Sequence, residues 1–328
     1  MATIKEVAAM ASVSVATVSR WINGTADIRP ETARRIADAV QALGYLPNRQ
    51  ARNLRTTHTN FILVLMPSVE NTFLSHVIRG IQNVGRRCGY SILIGTTQSS
   101  PAVEQSYLDL VRSRGVDGII CISPSVGPDV IRELHRQYPI LQCSEYVTDD
   151  VPYVTIDNRA AARAITGLLL DSGCRRPALI SSALPIVSLR EREAGFADAM
   201  RERGLTPEPA LVVRGPLGYN AGKRAAGMLL PQRPDGVLAL ADIMALGAIR
   251  RFTDAGLRVP GDVSVAGFDG IPLSRESRPP LTTVIQPAFE IGKRASELII
   301  RRIRGQPVPM RTLLPYRIAR RGSVGPGV

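Results

Sequence analysis

"TIKEVAAMASVSVATVSRWING", residues 3–24, decides how the amino end of this chain folds. Ile4, Val7, Ala8 and Ala11 recur at helical spacing, and Thr3 with Glu6 fits a capping box. The run "SVS" then makes a tight turn. Ser14 stands where a second helix, Val15 to Asn23, needs its cap, and Gly24 ends that helix. Val18, Trp21 and Ile22 fall on the side that packs against the first helix. Val15, Ala16, Ser19 and Arg20 are left on the other side. "PETARRIADAVQALG" supplies a third helix, with Pro30 at a favourable first-turn position and Gly44 at its end. Its apolar face is Ala33, Ile36, Ala37, Val40 and Leu43.

Two short helices joined by a tight turn and backed by a third make a helix-turn-helix pattern. In that motif the second helix enters the major groove and reads bases with the side chains at its start. Slim residues let it lie close, so Val15 and Ala16 can touch thymine methyls and Arg20 can reach a guanine edge or a phosphate. A three-helix packing module with a surface arginine fits the same pattern. The following stretch, "GYLPNRQARNLRTTHTN", carries Arg49, Arg52 and Arg55, with Ala51 and Leu54 on one face. A helix this short is marginal alone. Phosphate charge and a symmetry mate can order it, with Leu54 as a wedge between base steps in the minor groove. A solvated linker whose leucine packs on the core is the other reading.

Charge supports a polyanion partner for the amino end. The net charge is +13, but residues 1–60 hold eight Lys/Arg against four Asp/Glu, and residues 301–328 hold seven arginines and no acid. The stretch between them carries 26 basic residues against 24 acidic ones. A basic appendage on a neutral body suits nucleic acid. Arginine bias has a simpler source too, since only three of the 41 basic residues are lysine.

Composition excludes other classes. With 328 residues and 45 % hydrophobic residues, two core domains plus a small appendage are expected. No apolar run is long enough to span a bilayer, and "MATIKEVAAMASV" lacks the pattern of a signal peptide, so a cytoplasmic protein is expected. Cys88, Cys121, Cys143 and Cys174 form no CxxC pair and read as buried free thiols. His58, His76 and His135 show no metal-ligand spacing. No GxGxxG follows a strand, no P-loop is present, and no Ser/His/Asp order stands out. The expectation is therefore no enzyme, no catalytic residue, no metal and no cofactor.

From residue 61 to 320 the pattern changes. Apolar runs "FILVLMP", "YSILIGTT", "DGIICIS", "PILQCSE", "PALISSA", "ALVVRG", "GVLALAD" and "VSVAGFD" alternate with segments of helical period. Continuous apolar strands between helices imply parallel sheets covered on both faces. The succession occurs twice, breaking near Asp157, which gives two doubly wound lobes. Ligands in such folds bind outside the carboxyl ends of the strands. There the chain places Phe73, Ser123, Asp242 and Asp269. Asp242 directly precedes "IMALGAIRRF" and suits a helix cap. Asp269, in the irregular "FDGIP", reads as a ligand group.

"TIKEVAAMASVSVATVSRWING", "LGYLPNRQARNLRT", "VDGII", "VTIDN", "ADIMALGAIR", "VPGDVSVAGFD" and "PPLTTVIQP" together resemble the lactose-repressor (LacI) family, from Thr3 to about Arg320. "PSVENTFLSHVIRGIQ", "DIMALGAIRRFTDAGLRVPGDVSVAGFD" and "PPLTTVIQPAFEIGKRA" are most similar to its cytidine-repressor branch. The resemblance implies an all-α helix-turn-helix head over residues 1–46, a hinge helix or linker over 47–59, and a periplasmic-binding-protein-like α/β core over 60–328. Lobe one is expected over about 60–157 and 288–312, and lobe two over about 158–287 and 313–328. The implied function is a DNA-binding transcriptional regulator, a repressor, acting as a homodimer on double-stranded operator DNA. A sugar or nucleoside effector between the lobes would alter their angle and the spacing of the paired hinges, with operator release the commoner outcome in the family.

Head and hinge residues expected on DNA are Thr3, Ser14, Val15, Ala16, Thr17, Ser19, Arg20, Asn23, Arg49, Ala51, Arg52, Leu54 and Arg55. For the effector, Phe73 matches a covering aromatic, and Ser188, Arg192 and Asp269 match contact positions. Asp157 matches a cleft position, and Ser123 and Asp242 complete the expected set. Arg192 beside Asp269 would offer a donor fork and an acceptor for hydroxyls. Without the resemblance, Arg192 reads as a surface charge among Arg190, Glu191 and Glu193. Leu217 stands where the purine-binding branch has an aromatic, which puts a stacked purine in doubt. The tail "LLPYRIARRGSVGPGV" lacks the heptads of a tetramerising coiled coil, so a dimer is expected. The alternative is a periplasmic-type sugar-binding protein, which would share the two lobes but need a secretion signal and no head.

Overall fold

A computed structural model describes residues 2–23, 27–45 and 58–325. The chain divides into two units, Met1–Thr59 and Asn60–Val328.

Among the described residues, the first unit holds three helices, α1 (Ile4–Met10), α2 (Val15–Asn23) and α3 (Pro30–Ala42). Both halves of the capping box are present at Thr3 and Glu6. Ser14 Oγ accepts from the Thr17 backbone N–H at 3.1 Å, which satisfies an amide that α2 leaves open at its start. After α3, Gly44 adopts φ +57 and Tyr45 N–H returns to the Val40 carbonyl at 3.0 Å, closing the helix. Val7, Val18 and Ile36 are fully buried where the helices meet, and Ala8, Ala11 and Ala39 let them approach. Trp21 and Ile22 pack on this cluster half-buried.

The second unit starts with β1 (Phe61–Met66), α4 (Thr72–Arg87), β2 (Ser91–Thr96), α5 (Pro101–Arg112), β3 (Gly118–Ile122), α6 (Pro128–Gln137), β4 (Ile140–Cys143) and β5 (Tyr153–Ile156). It continues through α7 (Asn158–Asp171), β6 (Pro177–Ser182), α8 (Val187–Glu202), β7 (Val212–Gly215), α9 (Tyr219–Leu229) and β8 (Gly236–Ala239). Next come α10 (Asp242–Asp254), β9 (Ser264–Asp269), α11 (Leu273–Glu276), β10 (Thr282–Ile285), α12 (Ala288–Ile303), β11 (Arg311–Leu314) and β12 (Arg317–Ala319). The strands form two six-stranded sheets, ordered β11-β5-β4-β3-β1-β2 and β12-β10-β9-β8-β6-β7. All pairings are parallel except that of β12 with β10. Lobe one is the first sheet with α4, α5, α6 and α12; lobe two is the second with α7 to α11. The chain passes between them after β5, after β10 and after β11.

Four strands escape a reading by apolar runs. β5, β10, β11 and β12 span three or four residues each, and β11 and β12 are half exposed, so no continuous apolar stretch marks them. β5, β10 and β11 end, and β12 begins, where the chain crosses between lobes. Cys121, Cys143 and Cys174 are buried, but Cys88 is exposed, which corrects the expectation of four buried thiols. It caps the carboxyl end of α4, where that helix runs out to solvent.

Three helix pairs touch backbone to backbone through glycine, one of them α7 with α8, where a Cβ on Gly195 would overlap the Arg159 carbonyl. A Cβ on Gly292 of α12 would overlap the Val77 carbonyl of α4, and one on Gly247 of α10 would overlap the Tyr219 carbonyl of α9. Gly167, inside α7, has open space instead. Gly292→Ala is therefore expected to lower the stability of the core through overpacking, by about 1–3 kcal/mol. Gly167→Ala should raise it, by roughly 0.5–1 kcal/mol. Differential scanning calorimetry of the two variants checks both signs.

Candidate functional site

On the head, α2 turns its first residues outward. Val15, Ala16 and Arg20 are exposed while Val18 is wholly buried, so the helix meets α1 with one side and offers a thin, singly charged surface on the other. Ser14 is exposed too, but its hydroxyl caps α2 and lies 2.8 Å from Thr17 Oγ1. Ser19 is half-buried. The Thr3 hydroxyl is tied to Glu6 Oε2 at 3.0 Å. Arg49, Ala51, Arg52, Leu54 and Arg55 lie outside the described residues, as does the side chain of Asn23.

In the core, the carboxyl ends of the two sheets hold a cavity of about 390 Å³. Phe73 and His76 of α4 line it from lobe one, with Asp269, Gly270 and Arg275 from lobe two and Gln286 from the crossing segment. Asn71 accepts from Phe73 N–H and Leu74 N–H, which fixes the first turn of α4 and seats Phe73 at the wall. Asp269 has φ +119, outside the comfortable range for a side-chain-bearing residue. Such strain costs of order 1–3 kcal/mol and persists only where neighbours enforce it.

Asp242 does the enforcing. Its Oδ2 accepts from Gly270 N–H at 2.8 Å and Ile271 N–H at 2.9 Å, and its Oδ1 accepts from Thr283 Oγ1 at 2.5 Å. Neither the helix-cap reading nor the ligand reading of Asp242 describes this. The cap position of α10 belongs to Ala241, and the Asp242 carboxylate is fully buried with both oxygens engaged. It clamps the turn that presents Asp269. Burial, with the charge of Asp269 adding, pushes the Asp242 carboxyl up to about 8.

Arg192 joins the pieces. Its Nε donates to Asn158 Oδ1 at 2.9 Å and its Nη1 to the Leu240 carbonyl at 2.8 Å. Nη1 lies 3.5 Å from Asp269 Oδ1, and the guanidinium stacks 3.7 Å from the centre of the Phe268 ring. Burial lowers its pKa against the opposing charges of Asp269 and Glu145. Burial also raises Asp269 to about 6, against Arg192 and the 2.8 Å hydrogen bond from Gln286 Nε2.

The lobes meet beside this group. Glu145, just after β4 of lobe one, accepts from the Ser188 backbone N–H at 3.0 Å and from the Ser188 hydroxyl. Tyr146 donates to Glu191 Oε1 at 2.9 Å. Ser188 and Arg192 thus share the interlobe network, while Phe73 and Asp269 face the cavity. The other expected residues stand apart from the cavity lining. Asp157 caps α7 by accepting from Ala160 N–H at 2.9 Å. Ser123 takes φ +59 where β3 ends, beside a loop held by the buried Glu104. Leu217 is exposed after β7.

Sequence reasoning missed Glu145, Tyr146 and Gln286. Glu145 ends the run "PILQCSE" and Tyr146 follows it, so the strand-end rule applied to that strand would have found them. Gln286 follows β10, which was not read as a strand.

A helix-turn-helix head joined to a two-lobed core with a cleft at its strand ends is the architecture of a ligand-responsive DNA-binding transcriptional regulator. Residues 3–48 match the bacterial regulatory proteins of the lacI family, and residues 166–324 match the periplasmic binding protein-like domain. The chain is 34 % identical over 311 residues to the HTH-type transcriptional repressor CytR of Escherichia coli (strain K12), covering 94 % of this chain and 91 % of that one. It is also 34 % identical over 327 residues to catabolite control protein A of Priestia megaterium, covering 98 % of each. Its structure is similar to that of the lac repressor dimer bound to operator and the anti-inducer ONPF, with a TM-score of 0.89, 26 % identity and 99 % of each chain covered. The chain belongs to the LacI family of bacterial transcriptional regulators. No helix among the described residues is long and apolar enough to cross a membrane.

The buried carboxylates set a pH dependence. Unfolded, Asp242 loses its proton near its ordinary 3.8, and folded it keeps the proton to about 8. Between those values the native state binds more protons, so stability falls as pH rises from about 4 to 8. Asp269, raised to about 6, adds to the lower part of that window. Asp242→Asn keeps an acceptor for Gly270 and Ile271, and the Thr283 hydroxyl can turn to accept from the amide. Thermal melts across that range should show a flatter pH dependence than wild type and a higher melting temperature at the alkaline end.

Proposed function

We propose that this chain is a homodimeric, cytoplasmic repressor whose operator affinity is set by a sugar- or nucleoside-class effector held between the lobes. One observation carries the reading: Arg192, between Asp269 and the Glu145–Ser188 contact, belongs to a polar network that spans both lobes. A ligand that inserts there must change how the lobes meet, and its binding energy then couples to the head. Asp269 and Arg192 pair an acceptor with a donor fork, which suits vicinal hydroxyls, and Phe73 offers a flat apolar wall for a ring. Asp242 is a positioning residue for Asp269. Asp157 and Ser123 act in shaping the cleft rim, and Leu217 gives no aromatic face for a stacked base.

On the head, we assign Val15, Ala16 and Arg20 to base reading, and Thr3, Ser14, Thr17, Ser19 and Asn23 to phosphate contact. Arg49, Ala51, Arg52, Leu54 and Arg55, which lie outside the described residues, are assigned to minor-groove contact by the same reading. The relatives' names support a repressor that binds operator DNA as a dimer, since CytR is a repressor and the lac repressor was solved as a dimer on its operator. Exposed Leu93 and Ile94 on the edge strand β2, and Met228 on α9, supply apolar surface for a second copy.

Arg20→Ala is expected to reduce the preference for a selected operator over mixed-sequence duplex by roughly five- to 150-fold, with an unchanged melting curve, since one bidentate base contact discriminates by about 1–3 kcal/mol. Fluorescence anisotropy measures it, and a wild-type chain without sequence preference at any salt concentration refutes the reading. Asp269→Ala should keep operator affinity but lose the thermal stabilisation given by the best ligand in a screen of nucleosides and monosaccharides.

A further inference from the structure

The arginine excess near the carboxyl end of the chain is not absorbed by head or cleft. In a parallel sheet covered by helices, the amino ends of the strands and the carboxyl ends of the helices lie at one edge. In lobe one that edge collects arginine. Arg86 and Arg87 close α4, and both are exposed. Arg112 closes α5, with Arg114 in the following turn. Arg136 closes α6, and Arg304 follows Arg301 and Arg302 at the end of α12. Arg311 begins β11.

These ends are physically together. Arg302 Nη2 donates to the His135 carbonyl at 3.4 Å, joining α12 to α6. Ile303 packs against the position of Gly118 at the start of β3. Tyr90 feels the charges of both Asp117 and Arg304. Acids at this edge are few. Asp109 pairs with Arg112 at 2.7 Å, Asp117 accepts from Asn60 N–H at 3.0 Å, and Glu133 lies further back along α6. Arg302 is half-buried with its Nε unpartnered, and its charge, after burial, helps hold His135 below the ordinary histidine value.

Helix ends attract cations, so some arginine here needs no partner to explain it. Each helix terminus carries only about half a charge, however, and lobe two provides the comparison. It has the same architecture and the same helix ends. There Arg201 meets Asp198, Arg203 meets Asp171, Arg176 meets Glu208 at 2.7 Å, Arg250 meets Asp254 at 2.8 Å and Arg258 meets Asp262 at 2.7 Å. The same edge of the same fold carries five ion pairs in one lobe and one in the other, where arginines outnumber acids. β1 also starts at this edge, at Phe61.

We propose that this edge of lobe one is a second DNA-contacting surface, which holds the phosphates of duplex flanking the operator. It adds sequence-independent affinity and salt sensitivity without reading bases, because exposed arginines on helix ends meet phosphate as point charges.

The test uses the full chain with Arg87→Gln, Arg114→Gln, Arg136→Gln and Arg304→Gln combined. A second variant neutralises as many exposed arginines of lobe two: Arg175→Gln, Arg224→Gln, Arg278→Gln and Arg317→Gln. Each is titrated by anisotropy, over a range of salt, against an operator duplex of about 20 base pairs and the same operator centred in about 60 base pairs. Each lost phosphate contact flattens the plot of log K against log salt by about 0.9. The expected result is a slope shallower by about 2–4 units on the long duplex for the lobe-one variant alone. The short duplex is then bound as by wild type, and replacing the same four arginines by lysine restores the slope. An unchanged slope on the long duplex overturns the proposal. So does an equal effect from the lobe-two variant, an equal effect on both duplexes, or wild-type affinity that ignores duplex length. Loss of polyglutamate binding with an unchanged DNA slope assigns the edge to an acidic protein and likewise overturns it.

Discussion

Arg192 is the one charge around which the core is organised. A guanidinium taken out of water is costly to hold, and removing a partner from a buried ion pair leaves an uncompensated charge, at about 3–5 kcal/mol. The protein meets that cost with partners from separate elements. Asn158 at the start of α7, the Leu240 carbonyl after β8, the Phe268 ring in β9 and the Asp269 carboxylate all converge on it. Three of those elements are strand ends or the helix that follows a crossing. The buried charge therefore pins the cleft side of lobe two, and Glu145 brings lobe one to its flank.

Asp242 shows how such a site is kept in place. It never reaches the cavity, yet the turn that carries Asp269 depends on it, because two backbone amides of that turn have the Asp242 carboxylate as acceptor. The strained φ of Asp269 is the visible consequence. A ligand group presented on a turn fixed this way loses little freedom on binding, which favours affinity. The cost is a buried acid whose charged form is disfavoured, and hence a core whose stability responds to pH.

The two lobes are built on one plan but differ in charge. Ion pairs knit the amino-end edge of lobe two, whereas lobe one leaves that edge positive. Exposed ion pairs contribute little stability each, so their scarcity at that edge of lobe one costs its core little. What differs is the field outside the protein, and that field acts on partners rather than on the fold.

Local chemistry was legible in the chain. Caps at Thr3 and Ser14, the first-turn Pro30 and the stop at Gly44 act within a few residues, so the three helices of the head follow from the sequence alone. The long buried strands also announce themselves, because a strand covered on both faces must be continuously apolar. Tertiary structure alone decided the rest. β5, β10, β11 and β12 are too short to carry a pattern and exist because neighbouring strands accept their hydrogen bonds. The partners of Asp242 lie 28, 29 and 41 residues away, and Glu145 meets Ser188 at a separation of 43. No periodicity encodes contacts at such distances. They arise when two lobes, each folded by its own apolar pattern, bring their strand ends to a common cleft.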